Sequence, residues 1–448
     1  MKPIASSILG TLFVAVTVAL AVVAEMITIP PDYGNVTHVT YWEKWTGFES
    51  DAMKTVVDRY NSTEGKKKHI FVEFLPVGDI EAKVLIATSG EMPPDIAGLD
   101  TLDVAAFADN NALMPLDNYC NQYGIKASDY IPTTWSMMYY RNHVFALPTT
   151  PDSNALHYNR AEFRAAGLDP NKPPTTFDEL DAVSEKLTKK DANGKYVQFG
   201  FIPADPGWWN WGWGYFFGGT LWDGKDKITC NSPENIRAWE WVASYSKKYG
   251  ATAMAAFKSG FAFGSSSDGF ISGKEAMQLQ GVWMYNFIQQ FNPKLDWAAA
   301  PFPHPADRPD LAEMTFADSD NLVIPAGAKH PEEAFDFIAF LQKQPNMELL
   351  CMGQRKGSPL AKVSDWFLNN HPNPYIRLFS DLPKLKSART PPMMGIFNEY
   401  NDALGEAFDE VCLLQKTPKE ALDGVHDRIQ QVLDHYLRIT KLRQAAGG

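Results

Sequence analysis

The segments VTHVTYWEKWTGFESDAMKTVVDRYN, residues 36–61, and IFVEFLPV, residues 70–77, decide the fold. Residues 36–42 and 70–77 are rich in β-branched and aromatic side chains and predict two strands. Between them, apolar residues recur at helical spacing over 48–61 and predict a helix. Residues 95–99 predict the next strand. Strand, helix and strand within about forty residues indicate a βαβ unit, so we predict an α/β fold with a parallel sheet covered by helices.

The composition is that of a globular, acidic protein. The 448 residues are 45% hydrophobic and 21% charged, which allows a sizeable core, and the length predicts two or three domains. A net charge of −12 argues against nucleic acid or an anionic membrane as a partner. The four cysteines form no CxxC pair, so neither a metal knuckle nor a redox motif is indicated, and both buried thiols and one disulfide stay open.

The N-terminus predicts export. Lys2 precedes an apolar run from Ile8 to Ala24, with Val22 and Ala24 at the −3 and −1 positions of a cleavage site. We therefore predict that residues 1–24 are a signal peptide cut after Ala24, with an uncleaved anchor as the alternative. Because no cysteine follows the cut, a lipid anchor is not expected. The mature protein is expected in the periplasm.

The run DPGWWNWGWGYFFGG, residues 205–219, places four tryptophans within six residues. Indoles have large apolar faces and one N–H donor, and the glycines around them interrupt regular structure. This pattern favours a wall for a flat-faced ligand, with sugars, nucleobases and quaternary amines as candidates and core packing as the alternative. Since four indoles on one short turn cannot share a pocket, we expect one or two to contact ligand.

Capping signals predict three helix starts. Thr176 with Glu179 and Thr417 with Glu420 have the spacing of capping boxes, and Pro331 suits the first position of a helix. Residues rich in helix breakers occur near 148–154, 301–318 and 353–360. Three such segments fit a chain that crosses three times between two lobes.

Several segments in a fixed order resemble one protein family. They are VTYWEKWTGFESDAMKTVVDRYN from Val39, PPDIAGLDTLDVAAFADNNALMPLD from Pro93, FALPTTPDSNALHYNRAEFRAAGLDPNKPPTTFDEL from Phe145, FISGKEAMQLQGVWMYNFI from Phe270, FADSDNLVIPAGAKHPEEAFDFIAFL from Phe316, and the stretch from PPMMGIFNEYNDAL to TPKEALD. Together they resemble the family 1 extracellular solute-binding proteins of ATP-driven (ABC) importers, the group that includes maltose-binding protein.

The resemblance implies a two-lobed periplasmic binding protein fold. Each lobe would be a mainly parallel sheet flanked by helices, and the hinge would be crossed three times. Lobe 1 would comprise residues 25–150 and 318–357, and lobe 2 residues 151–317 and 358–448. Ligand would be held in the cleft between the lobes.

The resemblance also implies which residues bind the ligand. The ligand-binding positions carried over, together with the tryptophan run, are Glu43, Trp45, Asp100, Thr101, Asp152, Asn154, Trp208, Trp209, Trp211, Trp283, Asp318, Arg355 and Phe397. Lys44 and Ser319 adjoin this set, with Lys44 expected in solvent. Carboxylates accept, Arg donates and Asn does both, which suits the hydroxyls of a sugar. No catalytic residue, metal ligand or cofactor is expected.

The expected function is carbohydrate capture by a monomer that delivers its ligand to the permease subunits of an ABC importer. A glycosidase is the main alternative, because aromatics and paired carboxylates would serve it equally. A binder of glycerol phosphate or another polyol would require several convergent Arg or Lys. A metal carrier lacks support because no two His residues share a helix face with a carboxylate between them.

Overall fold

A computed structural model describes residues 35–445 of the chain. One mixed sheet of seven strands forms the centre, and two small two-stranded sheets lie outside it. The strands, numbered in chain order, are β1 Thr37–Glu43, β2 Ile70–Pro76, β3 Ile96–Asp100, β4 Tyr139–Tyr140, β5 His143–Val144, β6 Leu147–Asn159, β7 Lys189–Lys190, β8 Tyr196–Gln198, β9 Met277–Gly281, β10 Trp297–Ala300 and β11 Ala317–Val323.

Helices cover the sheets. The α-helices are α1 Gly47–Ser62, α2 Glu64–Lys68, α3 Ile80–Ser89, α4 Thr101–Asp109, α5 Asp117–Tyr123, α6 Pro132–Ser136, α7 Arg160–Ala165, α8 Phe177–Leu187, α9 Pro233–Tyr249, α10 Ala251–Lys258, α11 Met284–Phe291, α12 Pro331–Leu341, α13 Gln344–Gln354, α14 Asp365–Asn370, α15 Ile376–Asp381, α16 Phe397–Cys412 and α17 Pro418–Ala445. Short 3-10 helices span Ala127–Asp129, Asn210–Phe217, Pro309–Leu311 and Leu382–Lys384.

The βαβ unit predicted from the opening segments is confirmed. β1 pairs in parallel with both β2 and β3, and α1 connects β1 to β2. The buried stripe of α1 consists of Ala52, Met53, Val56, Val57 and Tyr60. These positions recur three or four residues apart, so one face of the helix packs on the sheet while the other meets solvent.

The three predicted helix starts are confirmed. The Thr176 hydroxyl accepts a hydrogen bond from the Glu179 amide at 3.3 Å, and the Glu179 carboxylate accepts one from the Thr176 amide at 3.4 Å. Thr417 and Glu420 repeat this exchange at 3.3 and 3.0 Å. Pro331 is the first residue of α12. Each box satisfies amide donors that the first turn of a helix cannot pair internally.

β6 connects the two halves of the molecule. Its first half, Leu147–Ser153, pairs with β11, whereas the second half, from Asn154, pairs with β9 and β10. The side chain of Leu147 belongs to one hydrophobic core and that of Leu156 to the other. A single continuous strand therefore passes from lobe 1 to lobe 2.

Two main cores define the two lobes, as predicted. Following the described chain, the buried residues pass from one of these cores to the other at three places: along β6, along β11, and between Leu382 and Met394. Val282, which packs in the lobe 1 core, is an exception. The lobe limits drawn from the sequence stay predictions. Because the buried residues from Leu360 to Leu382 pack in the lobe 1 core, we propose to move the third limit from 357 to after Leu382.

Strand direction differs between the lobes. The expected parallel pairing holds for β1, β2 and β3. In lobe 2, β9 and β10 run antiparallel to β6, and parallel pairing occurs as isolated bridges such as Phe199 with Glu275. Because β9 and β10 run opposite to β6, they lead the chain back towards the hinge.

The predicted signal peptide, residues 1–24, lies outside the described residues. Within 35–445, no helix has the length and apolar character needed to cross a membrane. All four cysteines carry free thiols, with Cys120, Cys230 and Cys351 buried and Cys412 partly so. The disulfide left open by the sequence is therefore absent from this structure.

Candidate functional site

A cleft of about 510 Å³ lies between the lobes. One side, here called the charged wall, consists of Lys44, Glu49, Asp100, Asp152, Asp318, Asp320 and Lys356. The other side, the aromatic wall, consists of Trp208, Trp209, Trp211, Phe263, Trp283 and Phe287. Trp45, Thr46 and Leu102 complete the lining. A cleft of this size, with apolar faces and few convergent polar groups, is typical of small-molecule sites.

The topology brings the charged wall together. Lys44 and Asp100 stand at the carboxyl ends of the parallel strands β1 and β3, which meet at one edge of the sheet. Asp318 and Asp320 are two residues apart on β11, so their side chains share one face. Asp152 pairs directly with Asp318 across β6 and β11. Three strands thus direct carboxylates towards the same space.

Two lysines hold these carboxylates in an ion network. Lys44 Nζ lies 2.7 Å from Asp320 Oδ1 and also bonds Asp100. Lys356 Nζ lies 3.1 Å from Asp320 Oδ2, 3.2 Å from Glu49 Oε1 and 3.9 Å from Asp152 Oδ1. Lys356 is 4% exposed, so water does not screen it. Both ammonium groups are therefore already paired by the protein.

Burial and the two lysines divide the carboxylates into two kinds. Burial alone would raise the pKa of Asp320, but the adjacent Lys356 and Lys44 ammonium groups outweigh it and lower that pKa. Burial raises the pKa of Asp152 despite the opposing effect of Lys356. Burial also raises the pKa of Asp318, which accepts a bond from the Ser319 amide. The charged form of Asp320 is thus favoured by its two lysines, whereas a ligand that donates hydrogen bonds would favour the charged forms of Asp152 and Asp318.

Three indoles form the centre of the aromatic wall. The ring centroid of Trp283 lies 5.6 Å from that of Trp208 and 5.8 Å from that of Trp209. Phe263 packs against Trp208 with centroids 4.1 Å apart at 73°. Trp208 is 43% exposed, which is unusual for so large an apolar ring. The wall therefore presents open aromatic faces to the cleft.

Gly281, at the end of β9, supports the ring of Trp283. A Cβ atom added to Gly281 would lie 2.3 Å from the Trp283 ring, so only glycine allows the indole to lie on the end of β9. The indole Nε1 of Trp283 is buried and has no hydrogen-bond partner among the described residues. A buried N–H without a partner is costly, and a ligand acceptor would satisfy it.

The tryptophan run divides between the cleft and the core. Trp211 lies at the edge of the cleft but is 5% exposed and packs on Phe316 and Phe397. Trp213 is 2% exposed, does not line the cleft, and packs on Trp241 among other rings. Trp208 and Trp209 precede the 3-10 helix and face the cleft. Trp208 and Trp209 thus open onto the cleft, whereas Trp211 and Trp213 are held mainly by the aromatic core of lobe 2.

Glu43 does not line the cleft. Its carboxylate is 1% exposed and accepts hydrogen bonds from the Tyr41 hydroxyl at 2.7 Å and the Lys44 amide at 2.8 Å. Burial raises its pKa from 4.5 to about 7, against the lowering effect of these bonds and of the Lys44 charge. Because side chains alternate along β1, Lys44 reaches the cleft and Glu43 supports it from behind.

Thr101 and Asn154 are buried at the hinge rather than in the cleft lining. The Thr101 hydroxyl donates to the Ser319 carbonyl at 3.1 Å. The Asn154 carboxamide oxygen accepts from the Thr315 hydroxyl at 3.2 Å and the Phe316 amide at 3.1 Å. Asn154 thus ties β6 to the start of β11, and Thr101 ties α4 to β11, although the Asn154 amide nitrogen is buried without a partner among the described residues.

Arg355 and Phe397 also lie outside the cleft. The Arg355 guanidinium lies 5.8 Å from the ring centroids of both Phe48 and Tyr285, and so bridges the start of α1 to α11. Phe397 is 1% exposed and packs against Trp211 in the lobe 2 core. The cation that this breaker-rich turn supplies to the cleft is Lys356, the neighbour of Arg355.

Several lining residues were not predicted. Asp320 could have been found because it shares a strand face with Asp318, and Lys356 because it adjoins Arg355. Glu49 stands in the first turn of α1, where an acidic residue is expected for the helix dipole alone. Phe263 and Phe287 carry no signal in the sequence that separates them from core residues.

One cluster has the spacing of a cation site. Carboxylate oxygens of Glu81, Asp100 and Asp103 lie within 4.8 Å of one another at the rim of the cleft. The Lys44 ammonium group already bonds Asp100. The cluster is partly exposed, and Lys44 already neutralises one of its carboxylates. These observations fit acidic groups in solvent at the rim of the cleft, and we assign no metal to them.

Comparisons with known proteins agree with this architecture. A family model described as bacterial extracellular solute-binding protein matches residues 49–348. The solved structure of CpMnBP1 with mannobiose bound superposes with a TM-score of 0.76 at 28% identity, covering 88% of this chain and 99% of that chain. The sugar-binding protein MalE from Xanthomonas citri gives a TM-score of 0.72 at 18% identity, covering 90% and 99%, and shows the fold alone.

A curated relative extends the comparison to another solute. The sn-glycerol-3-phosphate-binding periplasmic protein UgpB of Shigella flexneri is 22% identical over 445 residues, which is 91% of this chain and 94% of that protein. Sugars and a phosphorylated polyol thus both occur in the names of similar proteins, and the chemistry of the cleft has to decide between them.

Proposed function

The chain belongs to the bacterial extracellular solute-binding proteins, and from this premise we propose that it captures a carbohydrate in the cleft between its lobes. The supporting observation is the pairing of two unlike walls. The faces of Trp208, Trp209 and Trp283 suit the apolar C–H faces of a sugar ring. Opposite them, carboxylates accept hydrogen bonds from hydroxyls, which are donors that a neutral sugar carries in quantity.

The charge balance of the cleft favours a neutral ligand over a phosphorylated one. The described lining has five carboxylates, Glu49, Asp100, Asp152, Asp318 and Asp320, against the two ammonium groups of Lys44 and Lys356. Each of these lysines is already paired with Asp320. A phosphate would need cations free to bind its oxygens, whereas both lysines are engaged by Asp320, whose lowered pKa keeps it as a like charge beside the phosphate. Glycerol phosphate is therefore the less favoured ligand.

Capture follows from closure of the lobes. A sugar that stacks on the lobe 2 indoles and donates hydrogen bonds to the lobe 1 carboxylates contacts both sides at once, so it stabilises the closed form more than the open one. Small-angle scattering tests this step: the radius of gyration should fall on saturation with a tight ligand. An unchanged radius with such a ligand would rule out the hinge mechanism.

We propose that the closed form is the species that the permease subunits of an ABC importer recognise, and that the protein acts as a periplasmic monomer after removal of residues 1–24. Intact mass analysis of the exported protein tests the cut after Ala24. The protein is proposed to bind without catalysis. Pure protein incubated with oligosaccharides should release no reducing sugar above the buffer control, whereas steady release would identify a glycosidase.

A thermal-shift screen tests the ligand class directly. The panel should include mono- and oligosaccharides, polyols and glycerol phosphates. A ligand present at a hundred times its dissociation constant adds about 2.7 kcal/mol to the free energy of unfolding, which is readily detected. Stabilisation by a sugar supports the proposal. Stabilisation by a glycerol phosphate alone would overturn it in favour of the phosphorylated polyol.

A further inference from the structure

Two acidic side chains that do not line the cleft meet inside lobe 2, next to the aromatic wall. Glu275, just before β9, is fully buried, and Asp205 is nearly so. The buried Gln278 Nε2 donates a hydrogen bond to Glu275 Oε2 at 3.1 Å and another to Asp205. Both carboxyl groups therefore converge on one amide nitrogen, in a part of the core with almost no access to solvent.

The charged groups around this pair leave negative charge in excess. Lys258, on α10, is a cation that favours the anionic form of Asp205. Asp268, in the turn before Glu275, is a third buried acid, and burial raises its pKa to about 6. Among the groups described around the pair, one ammonium group thus faces three acids. Two adjacent carboxyl groups in such a site do not both ionise, and they share one proton.

The shared proton resides on Glu275. Burial raises the pKa of Glu275, and the adjacent Asp205 charge raises it further. Burial also raises the pKa of Asp205, but the hydrogen bond from Glu275 and the charge of Lys258 oppose that effect. The second oxygen of Glu275, Oε1, accepts from the Ile202 amide at 2.7 Å, as the carbonyl oxygen of a neutral carboxyl group would. Glu275 therefore donates its proton to a hydrogen bond that Asp205 accepts.

Asp205 begins the turn that carries two indoles of the aromatic wall. It stands three residues before Trp208 and four before Trp209. The same turn is held from α10, because the Lys258 ammonium group donates to the Ala204 carbonyl. These contacts at the start of the turn fix its backbone. A supporting contact of this kind determines where the rings that follow lie in the cleft.

We propose that Glu275 and Asp205 are positioning residues of the binding site, and that the proton they share holds the turn of Trp208 and Trp209 where its rings can meet a sugar. The part of this inference that concerns affinity rests on the proposed function. Loss of the proton would place two like charges side by side behind the aromatic wall, and moving the turn outwards would relieve their repulsion.

The stability of Glu275→Gln relative to wild type measures the shared proton. The amide of the variant donates to Asp205 but has no proton to lose. In wild type, the folded state keeps the proton that the unfolded state releases above the ordinary pKa of 4.5, so the stability that it contributes is full below this pH and is lost as the pH rises. Between about pH 5.5 and 7.5, the unfolding equilibrium constant of wild type should rise about tenfold per pH unit relative to that of Glu275→Gln. Denaturation curves measure this ratio, and a ratio independent of pH would overturn the shared proton.

Calorimetric titration with maltose and with mannobiose tests the positioning role. Asp205→Ala releases the turn and should weaken binding of the disaccharide that wild type binds by about tenfold, a step of about 1.4 kcal/mol. Glu275→Ala, which removes the donor, should give the same loss and replaces Asp205→Ala if that variant does not fold. Glu275→Gln should retain wild-type affinity because its amide keeps the bond. Asp226→Ala, at an exposed position of lobe 2 outside the cleft, is the control and should leave affinity unchanged.

Unchanged affinity in a folded Asp205→Ala or Glu275→Ala, or an equal loss in Glu275→Gln, would overturn the positioning role while leaving carbohydrate binding intact. Binding of glycerol phosphate and of neither disaccharide by wild type would overturn the proposed function and the affinity part of this inference. The stability ratio would still decide whether Glu275 and Asp205 share a proton, since it is measured without ligand.

Discussion

The two walls of the cleft differ in how they are stabilised without ligand. The charged wall is internally paired, because Lys44 and Lys356 each bond Asp320 and a second carboxylate. The aromatic wall is incomplete: Trp208 is 43% exposed, and the buried Trp283 N–H has no described partner. The charged wall is therefore held by its own ion pairs and should contribute to folding stability, whereas the aromatic wall keeps an exposed ring face and an unpaired N–H that a ligand could satisfy.

The largest effect should come from removing the cation at the centre of the charged wall. Lys356→Met leaves the buried Asp320 and the partly buried Asp152 and Glu49 with one lysine fewer, and should lower the free energy of unfolding by about 3–5 kcal/mol, the usual cost of breaking a buried ion pair. Urea denaturation at neutral pH measures it. Lys362→Met, at an exposed lysine, should stay within about 0.5 kcal/mol. Equal small effects would show that the wall does not support the fold.

The next effect concerns the buried carboxyl behind that wall. The folded-state pKa of Glu43 is raised from 4.5 to about 7, so the folded state binds a proton more tightly than the unfolded state between these pH values. Its contribution to stability should therefore fall as the pH rises from 4.5 to about 7. The difference in unfolding free energy between wild type and Glu43→Gln should shift by roughly 2–3 kcal/mol across this window.

Denaturation curves at several pH values measure this shift. Glu399→Gln, on the exposed face of α16, provides the control and should give a difference that does not follow this window. A difference that is flat for Glu43→Gln as well would mean that Glu43 is as well solvated when folded as when unfolded.

On the aromatic wall, substitution should change affinity more than stability. Trp283→Ala removes the ring that contacts both Trp208 and Trp209, and should weaken sugar binding by about 1–3 kcal/mol. Calorimetric titration with the best ligand of the screen measures it. Trp366→Ala, at a tryptophan 59% exposed outside the cleft, should leave affinity unchanged. Unchanged affinity in a folded Trp283→Ala would assign Trp283 to the core.

The smallest expected changes in stability and affinity distinguish Trp208 from Trp213, the first and last tryptophans of the run. Trp208→Ala should change the unfolding free energy by less than about 0.5 kcal/mol, because the ring is half exposed, and weaken binding by about 1 kcal/mol. Trp213→Phe should do the reverse, with stability reduced by roughly 1–2 kcal/mol and affinity retained, since Trp213 packs only in the core. Paired melting and titration experiments compare them. Equal losses of affinity would remove the distinction.

The sequence was most informative where structure is local. The strand β1, the helix α1 and the capping boxes at Thr176 and Thr417 follow from spacing within a few residues, and all were predictable. The first segment of the site shows the limit of sequence-based prediction: Glu43 was expected to line the cleft, but its neighbour Lys44 does so. Both residues lie in the predicted site segment. Because successive side chains of a strand point to opposite faces, an error of one residue in the predicted strand places the wrong side chain in the cleft.

Long-range pairing was beyond sequence reasoning. Lys356 meets Asp320 and Glu49 through three separate segments of the chain, and no local pattern indicates such a meeting. For the tryptophan run, residue type predicted an aromatic wall for ligand, which stays a prediction. Trp208, Trp209 and Trp211 line the cleft, but the sequence could not show that Trp211, inside the 3-10 helix that begins at Asn210, would be nearly buried.

The order of strands in lobe 1 also bears on how the chain is made and exported. β3 gains its second neighbour only when β11 pairs with it, and the partners Asp100 and Asp320 are far apart in sequence. Lobe 1 therefore stays without a complete sheet until most of the chain has left the ribosome, and such non-local pairing makes folding slow. For a member of an extracellular family this delay has a consequence, because an export route that requires an unfolded chain has until the pairing of β11 with β3 to carry it.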